Sequence, residues 1–278
     1  MRIRIRHETT CRYLEPVKAA IQNLRLTPRN SDGQHVKSWR IDVDRDCRLI
    51  ASEDAFGNVV HRFTADGPFD SITTTVEGEV TTFDTAGVAS GAPERFPPTL
   101  YLRQTPLTAP TPAIADFARA TTARENGTLA SLHALLSAIH EKIALETDAS
   151  APATTAAAAF ESGKGECQDL AHLFIASARA IGAPARYVSG YYLRDDNDYG
   201  VTGHAWAEAY VENLGWVGFD PANCVSPGER HIRLAIALDK LGAAPIRGAH
   251  AGGAGESVDV RVRATRTQTQ SQSQSQAQ

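Results

Sequence analysis

The segment Glu161-Ser-Gly-Lys-Gly-Glu-Cys-Gln-Asp-Leu-Ala-His172 limits what this chain can become more than any other. Beyond it, Leu170, Ala171, Phe174, Ile175, Ala178 and Ile181 recur at intervals of three and four, which marks one buried helical face. Gly182-Ala-Pro184 stops that helix. Gly163 and Gly165 allow a tight approach of the backbone just before it. The spacing therefore predicts a helix over about 167–181 with Cys167 at its N-terminus. A helix start carries roughly half a positive charge and several N–H groups without intrahelical partners. Both favour a thiolate, which is the nucleophilic form, and the same N–H groups can hold the oxyanion of a tetrahedral intermediate. Free cysteines also serve as inert core residues, so this segment alone leaves both readings open.

A second segment, Gly203-His-Ala-Trp-Ala-Glu-Ala-Tyr-Val-Glu-Asn-Leu-Gly-Trp-Val-Gly-Phe-Asp-Pro-Ala-Asn223, reads as a β-hairpin turning at Glu212–Gly215. Strand alternation puts His204, Trp206, Glu208 and Tyr210 on one face and Ala205, Ala207, Ala209 and Val211 on the other. On the return strand Val217 and Phe219 must join the apolar face, so Trp216, Gly218 and Asp220 share the face of His204. A carboxylate there can orient an imidazole and stabilise its charged form, and the imidazole can activate a thiol brought alongside.

The rest of the chain supplies a scaffold. The first eighty or so residues are β-rich, with alternation at Ile3 and Ile5 and in Trp39–Val43, Asn58–Phe63 and Ile72–Val80. Turns are expected at Ser31–Gly33, Phe56–Asn58 and Asp66–Pro68. Residues of about 84–113 read as a linker or extended crossover. Helices are expected near Pro112–Arg124 and Leu129–Leu145, the second capped by Thr128 or Ser131, and a short helical pattern near Ile232–Leu241. From Ala249 the chain is Gly-rich, passes a candidate strand at Ser257–Val262 and ends in a Gln/Ser-rich tail too polar to bury surface. The expected division is a β-rich domain over 1–100, a core over 101–247 and a mostly disordered tail over 248–278.

Hydrophobic residues make up 42% of the 278 residues, charged residues 22%, and the net charge is −4. These values suit a globular core and give no general attraction to nucleic acid or anionic lipid. No targeting segment or membrane-spanning run is read from the sequence. The scattered Cys11, Cys47, Cys167 and Cys224 do not form a disulfide framework, so free thiols in a reducing cytoplasm are expected.

Gly-Glu-Cys-Gln-Asp-Leu-Ala-His, Gly-His-Ala-Trp-Ala-Glu and Trp-Val-Gly-Phe-Asp-Pro, in this order, resemble the three blocks of the transglutaminase-like superfamily. They are most similar to its bacterial cysteine-protease-like members. The Tyr13–Pro28 stretch and Asp54-Ala-Phe-Gly-Asn58 resemble the N-terminal region that accompanies this core in bacteria. The resemblance spans about 1–245. It implies an α+β fold: a sandwich-like β-rich domain, then a papain-like core in which a Cys-bearing helix packs on an antiparallel sheet. It also implies Cys167 as nucleophile, His204 as base and Asp220 as orienting acid, with Gln168 and Trp206 as candidates for lining the site or helping the oxyanion. Asp169 reads as a helix-start carboxylate and His172 as a buried structural histidine.

Two other classes compete with this reading. A zinc site from Cys167, His172, His204 and Cys224 lacks any Cys-x-x-Cys or His-x-x-x-His pair, so no metal or cofactor is expected. A non-catalytic interaction module would leave the three blocks unused. Within enzymes, the thioester can be resolved by water or by an amine. No Asp-x-Asp-x-Asp-Gly calcium loop is present, which favours hydrolysis of a peptide, protein or small amide over calcium-gated cross-linking. The acidic run Asp195–Asp198 reads as a solvated loop, and oligomeric state is not legible.

Overall fold

The computed structural model describes residues 1–146, 154–194 and 203–266. The acidic run at 195–198 and the end of the Gln/Ser-rich tail lie outside them. The N-terminal half is built on two long strands, β1 (Arg2–Thr27) and β4 (Val59–Thr82), paired antiparallel over most of their length. β2 (Gln34–Val43) and β3 (Ile50–Glu53) pair with β4. The expected turn at Asp66–Pro68 is instead an irregularity within β4, where the ladder with β1 shifts register and the Gly67–Pro68 bond is cis. Alternation along β1 buries Ile3, Ile5, Cys11 and Tyr13 on one face, with the arginines between them outside.

The linker region carries β5 (Val88–Ala89) and a short 3-10 helix at Pro98–Leu102. Helices α1 (Pro112–Thr122) and α2 (Thr128–Lys142) follow near their expected positions. Gly127, not Thr128 or Ser131, stands at the N-cap of α2. Next come β6 (Ala144–Leu145), α3 (Ala156–Ser162), β7 (Lys164–Gly165) and α4 (Cys167–Ala180). A second antiparallel sheet then forms from β8 (Ala185–Tyr192), β9 (Gly203–Val211) and β10 (Gly215–Phe219), joined by β5 and by β11 (His231–Ala237) in the order β11-β8-β9-β10-β5.

β11 corrects the helical reading of 232–241. Only α5 (Lys240–Ala243) is helical there. The strand is buried on both faces, with Ile232 and Leu234 against the N-terminal core and Ala235 and Ala237 against α4's core. The apolar run Leu234–Leu238 carries no period that separates strand from helix. In the tail, the candidate strand at Ser257–Val262 lies within an observed strand, and a further strand, not expected, precedes it at 246–251. β12 (Ile246–Ala251) and β13 (Glu256–Arg266) are ordered strands that pair with opposite halves of β1. Each is an edge strand whose inner backbone groups pair with β1 and whose outer side is open, so little apolar surface is needed. The β-rich unit is thus not confined to 1–100, because the chain returns to it at 246–266.

The fold is α+β. α4 is buried nearly all round, between the alanine face of the second sheet and α1, α2 and α3. The opposite face of that sheet is closed by the N-terminal half. Gln34 pairs with both the N–H and C=O of Arg233, at 2.8 and 2.9 Å, and Asn58 does the same at Ile236, at 2.8 Å each. These two amides complete the open edge of β11, which otherwise would leave backbone groups unpaired in the interior. No helix among the described residues is long and apolar enough to cross a membrane.

Charge is buried in the same layer. Arg186, fully buried, donates to Glu208 at 2.7 Å and to both oxygens of Glu94 at 2.7 and 2.9 Å. Its guanidinium stands 3.8 Å over the Trp216 ring. Arg233 reaches Glu208 from the other side at 2.7 Å. Burial raises the cost of the Glu208 charge, but Arg233 and Arg186 outweigh it and hold the carboxyl at about 2. Removing one partner strands the others in a medium of low dielectric. Glu208→Ala is therefore expected to cost about 3–5 kcal/mol, read as a lower midpoint in urea denaturation; a loss below about 1 kcal/mol, the worth of a surface pair, would contradict it.

Candidate active site

Cys167 is the first residue of α4, as its sequence spacing predicts, and is half-buried. Glu166 N–H donates to the Asp169 carboxylate at 3.0 Å, and Thr154 N–H donates to its other oxygen at 3.1 Å. Asp169 thus fixes the turn into the helix, the structural role expected of it. A Cβ at Gly165 would lie 2.9 Å from Asp169 Cβ, so glycine is required for this approach.

The hairpin is observed in the register its alternation demands. Trp216 pairs with Tyr210 and Gly218 with Glu208, so even positions oppose even positions. Asp220 follows β10 and begins a tight turn closed by its bridge to Val225. His204 Nε2 donates to Asp220 Oδ2 at 2.7 Å. Cys167 lies within hydrogen-bonding reach of the imidazole. With Nε2 engaged, Nδ1 is the nitrogen left for the sulfur. The structure therefore brings Cys167, His204 and Asp220 together from the helix start, β9 and the turn after β10.

Asp220 is fully buried and receives five donors. Oδ1 accepts from the Ala222 and Asn223 N–H groups at 3.1 and 3.3 Å, while Oδ2 accepts from His204, from Asn223 Nδ2 at 2.7 Å and from His231 Nε2 at 3.1 Å. Burial works against the carboxylate, but the His204 and His231 hydrogen bonds prevail and hold its pKa well below the usual carboxylate range. Burial likewise works against a charged His204, yet the hydrogen bonds to Asp220 and Cys167 raise it to about 10.

Asn223 and His231 were not among the sequence candidates. Asn223 sits in the same block as Asp220, two residues past Pro221, which is a local signal. His231 sits at the start of a different strand, and nothing in its own neighbourhood announces it. Trp206 is buried behind His204, its ring stacked 6.1 Å from the imidazole and 5.2 Å edge-on from His231, and it does not line the cleft. β-strand alternation puts it on the right face but one step too deep. Gln168 donates to Glu166 at 3.1 Å, beside the helix start. His172 is buried against Tyr187 and accepts the Lys240 N–H at 3.1 Å, a packing role.

The cleft above the sulfur has a volume of about 110 Å³ and is lined by Leu145, Glu146, Glu166, Tyr192, Arg194 and Asn223 with Cys167 and His204. Donor atoms of His204, Asp220 and His231 lie within 4.8 Å of one another, a spacing that a metal ion could also use. Here the carboxylate oxygen takes an N–H from each imidazole. The zinc set of Cys167, His172, His204 and Cys224 is not assembled, since His172 is turned to Lys240 and Tyr187.

A Cys-His-Asp constellation on a buried helix and an antiparallel sheet defines the papain-like class of fold. The comparisons agree. Residues 115–221 match the transglutaminase-like superfamily and residues 3–81 the bacterial transglutaminase-like N-terminal region. The chain thus carries a transglutaminase-like core behind a bacterial transglutaminase-like N-terminal region. It is 28% identical to an uncharacterized protein of Mycobacterium leprae, covering 93% of this chain and 96% of that one. It is also 28% identical to an uncharacterized protein of Mycobacterium tuberculosis, covering 89% and 87%. A solved structure of a candidate cysteine protease from Cytophaga hutchinsonii superposes with a TM-score of 0.77 at 18% identity, over 97% of this chain and 91% of that one. This last likeness establishes the shared fold.

The coupled charges give a pH signature. His204 is raised, so its contribution to stability is complete below its unfolded value of about 6.5 and is lost as pH rises through about 10. Asp220 is depressed, so its contribution is complete above its unfolded value of about 3.9 and is lost as pH falls towards its folded value. The contribution of this pair to stability is therefore complete between about pH 4 and 6.5 and declines on both sides, and the difference in thermal midpoint between the parent and Asp220→Asn should be largest in that window. Asp220→Asn should bring the His204 titration, followed by NMR, down towards the ordinary histidine range; a midpoint unchanged by the substitution would refute the coupling.

Proposed function

We propose that this protein is a cysteine-dependent acyl-transfer enzyme that hydrolyses peptide or other amide bonds through Cys167, His204 and Asp220. The observation that carries the reading is the shared placement of the Cys167 sulfur and His204 ring on one open cleft, with the far nitrogen of the ring held by a buried carboxylate.

The chemistry follows from these groups. Cys167 Sγ, its proton held by His204, attacks the carbonyl carbon of an amide. The oxyanion that forms is offered the first-turn N–H groups of α4, which the helix leaves without internal acceptors. The C–N bond breaks as His204 gives its proton to the departing amine, and a thioester remains. Water then attacks, His204 takes its proton, the carboxylic acid leaves and the thiol is restored. Asp220 stabilises the imidazolium throughout and keeps its proton on the ring. All four cysteines are free, which suits a reducing compartment, and we place the protein in the cytoplasm.

The substrate is a peptide, protein or small amide. An amine replacing water at the second step would make the same thioester yield a transferase product. The test is turnover of an amide and peptide library with and without an added primary amine. Acid product in the presence of amine supports hydrolysis, whereas capture of the amine in a new amide supports transfer. Cys167→Ala and His204→Ala should each lower turnover by about ten-thousandfold with unchanged circular dichroism. Full activity in either variant would remove the mechanism.

A further inference from the structure

Two imidazoles meet the Asp220 carboxylate, and the proposed mechanism uses only one. His231, the first residue of β11, is buried. Its Nε2 is 3.1 Å from Asp220 Oδ2, and its Nδ1 accepts the Gly228 N–H at 3.3 Å. A neutral imidazole whose Nδ1 is an acceptor must carry its proton on Nε2. His231 is therefore a donor to Asp220. Burial pushes it below the ordinary histidine range, with the Asp220 hydrogen bond pulling the other way.

The groups around it are few. Tyr192 of β8 packs at 4.7 Å, His204 at 6.0 Å and Trp206 edge-on at 5.2 Å, both from β9. On its remaining side is a small cavity of about 60 Å³ between the catalytic sheet and the N-terminal half, lined also by Glu208 and Arg233, which are paired with each other. His231 lines that cavity and not the cleft of Cys167, so it has no route to the substrate.

We propose that His231 is a positioning residue: an Nε2–H donor locked by Gly228, it keeps Asp220 an anionic acceptor and so holds His204 in the state that Cys167 needs. The inference rests on the functional reading above. A proton placed on Asp220 Oδ2 would confront the His231 N–H, donor against donor. Without that N–H, the buried carboxylate loses one of the bonds that offset its desolvation and accepts a proton at higher pH. A neutral Asp220 no longer stabilises the imidazolium, and the reactive thiol pair is lost at that same pH.

The test is the pH dependence of Cys167 alkylation by iodoacetamide, followed by mass spectrometry of that one peptide with a chelator present. His231→Leu removes the donor; His231→Gln retains an N–H of similar reach. The acid limb should move up by about one pH unit in His231→Leu, with the rate well below the parental midpoint about tenfold lower, as expected for a hydrogen bond to a charged group. His231→Gln should restore most of both. A folded His231→Leu protein with the parental acid limb, or a His231→Gln variant no better than His231→Leu, overturns the inference. Should His231→Leu fail to fold, ¹⁵N shifts of the unsubstituted protein decide: a neutral ring protonated at Nε2 supports the proposal, and one protonated at Nδ1 or charged at neutral pH overturns it. A parent whose Cys167 reacts like a free thiol, with its acid limb at the ordinary thiol value of about 8.5, removes the triad itself; a parent with a lower limb that His231→Leu leaves in place removes only the role of His231.

Discussion

A single buried carboxylate organises this molecule. Asp220 has no exposure to solvent, and an isolated charge there would be very costly. The fold supplies the compensation from three directions: backbone N–H groups of its own turn, Asn223 beside it, and imidazoles from β9 and β11. The two imidazoles come from strands that meet at Asp220 only when the second sheet is complete. Charge at Asp220 and closure of that sheet are thus one requirement, and the raised affinity of His204 for its proton is its chemical consequence.

The same sheet divides the labour between its faces. The alanine face, Ala205, Ala207 and Ala209, has no bulk and lets α4 approach closely, which brings Cys167 to the end of the strands. The other face carries Trp206, Glu208 and Trp216, covered by the N-terminal half and stabilised by Arg186 and Arg233. Gly190 belongs to this arrangement, since a Cβ there would stand 2.5 Å from the Trp206 ring. The β-rich half is accordingly more than an appended module. Through Gln34 and Asn58 it closes the edge of β11, the strand that delivers His231.

The return of β12 and β13 to β1 ties the end of the chain to its beginning. Both termini of the described chain therefore belong to the N-terminal sheet, with the transglutaminase-like core inserted between them. Low apolar content at 246–266 hid this, because edge strands gain much of their stability from ladder hydrogen bonds, which hydropathy does not register. The continuous apolar run at 234–238 misled in the opposite way: burial on two faces erased the alternation by which strands are recognised.

What the sequence determined by itself was local and periodic. Threefold and fourfold spacing set α4 and put Cys167 at its start; twofold alternation set the β9–β10 hairpin and put His204 and Asp220 on one face. Both patterns are enforced by backbone geometry within a few residues, so they can be read without a fold. The tertiary structure alone decided which further groups reach Asp220, why Trp206 lies behind the imidazole and not in the cleft, and that the last strands belong with the first. Those outcomes depend on contacts between residues far apart in the chain, and side-chain periodicity carries no record of such distances.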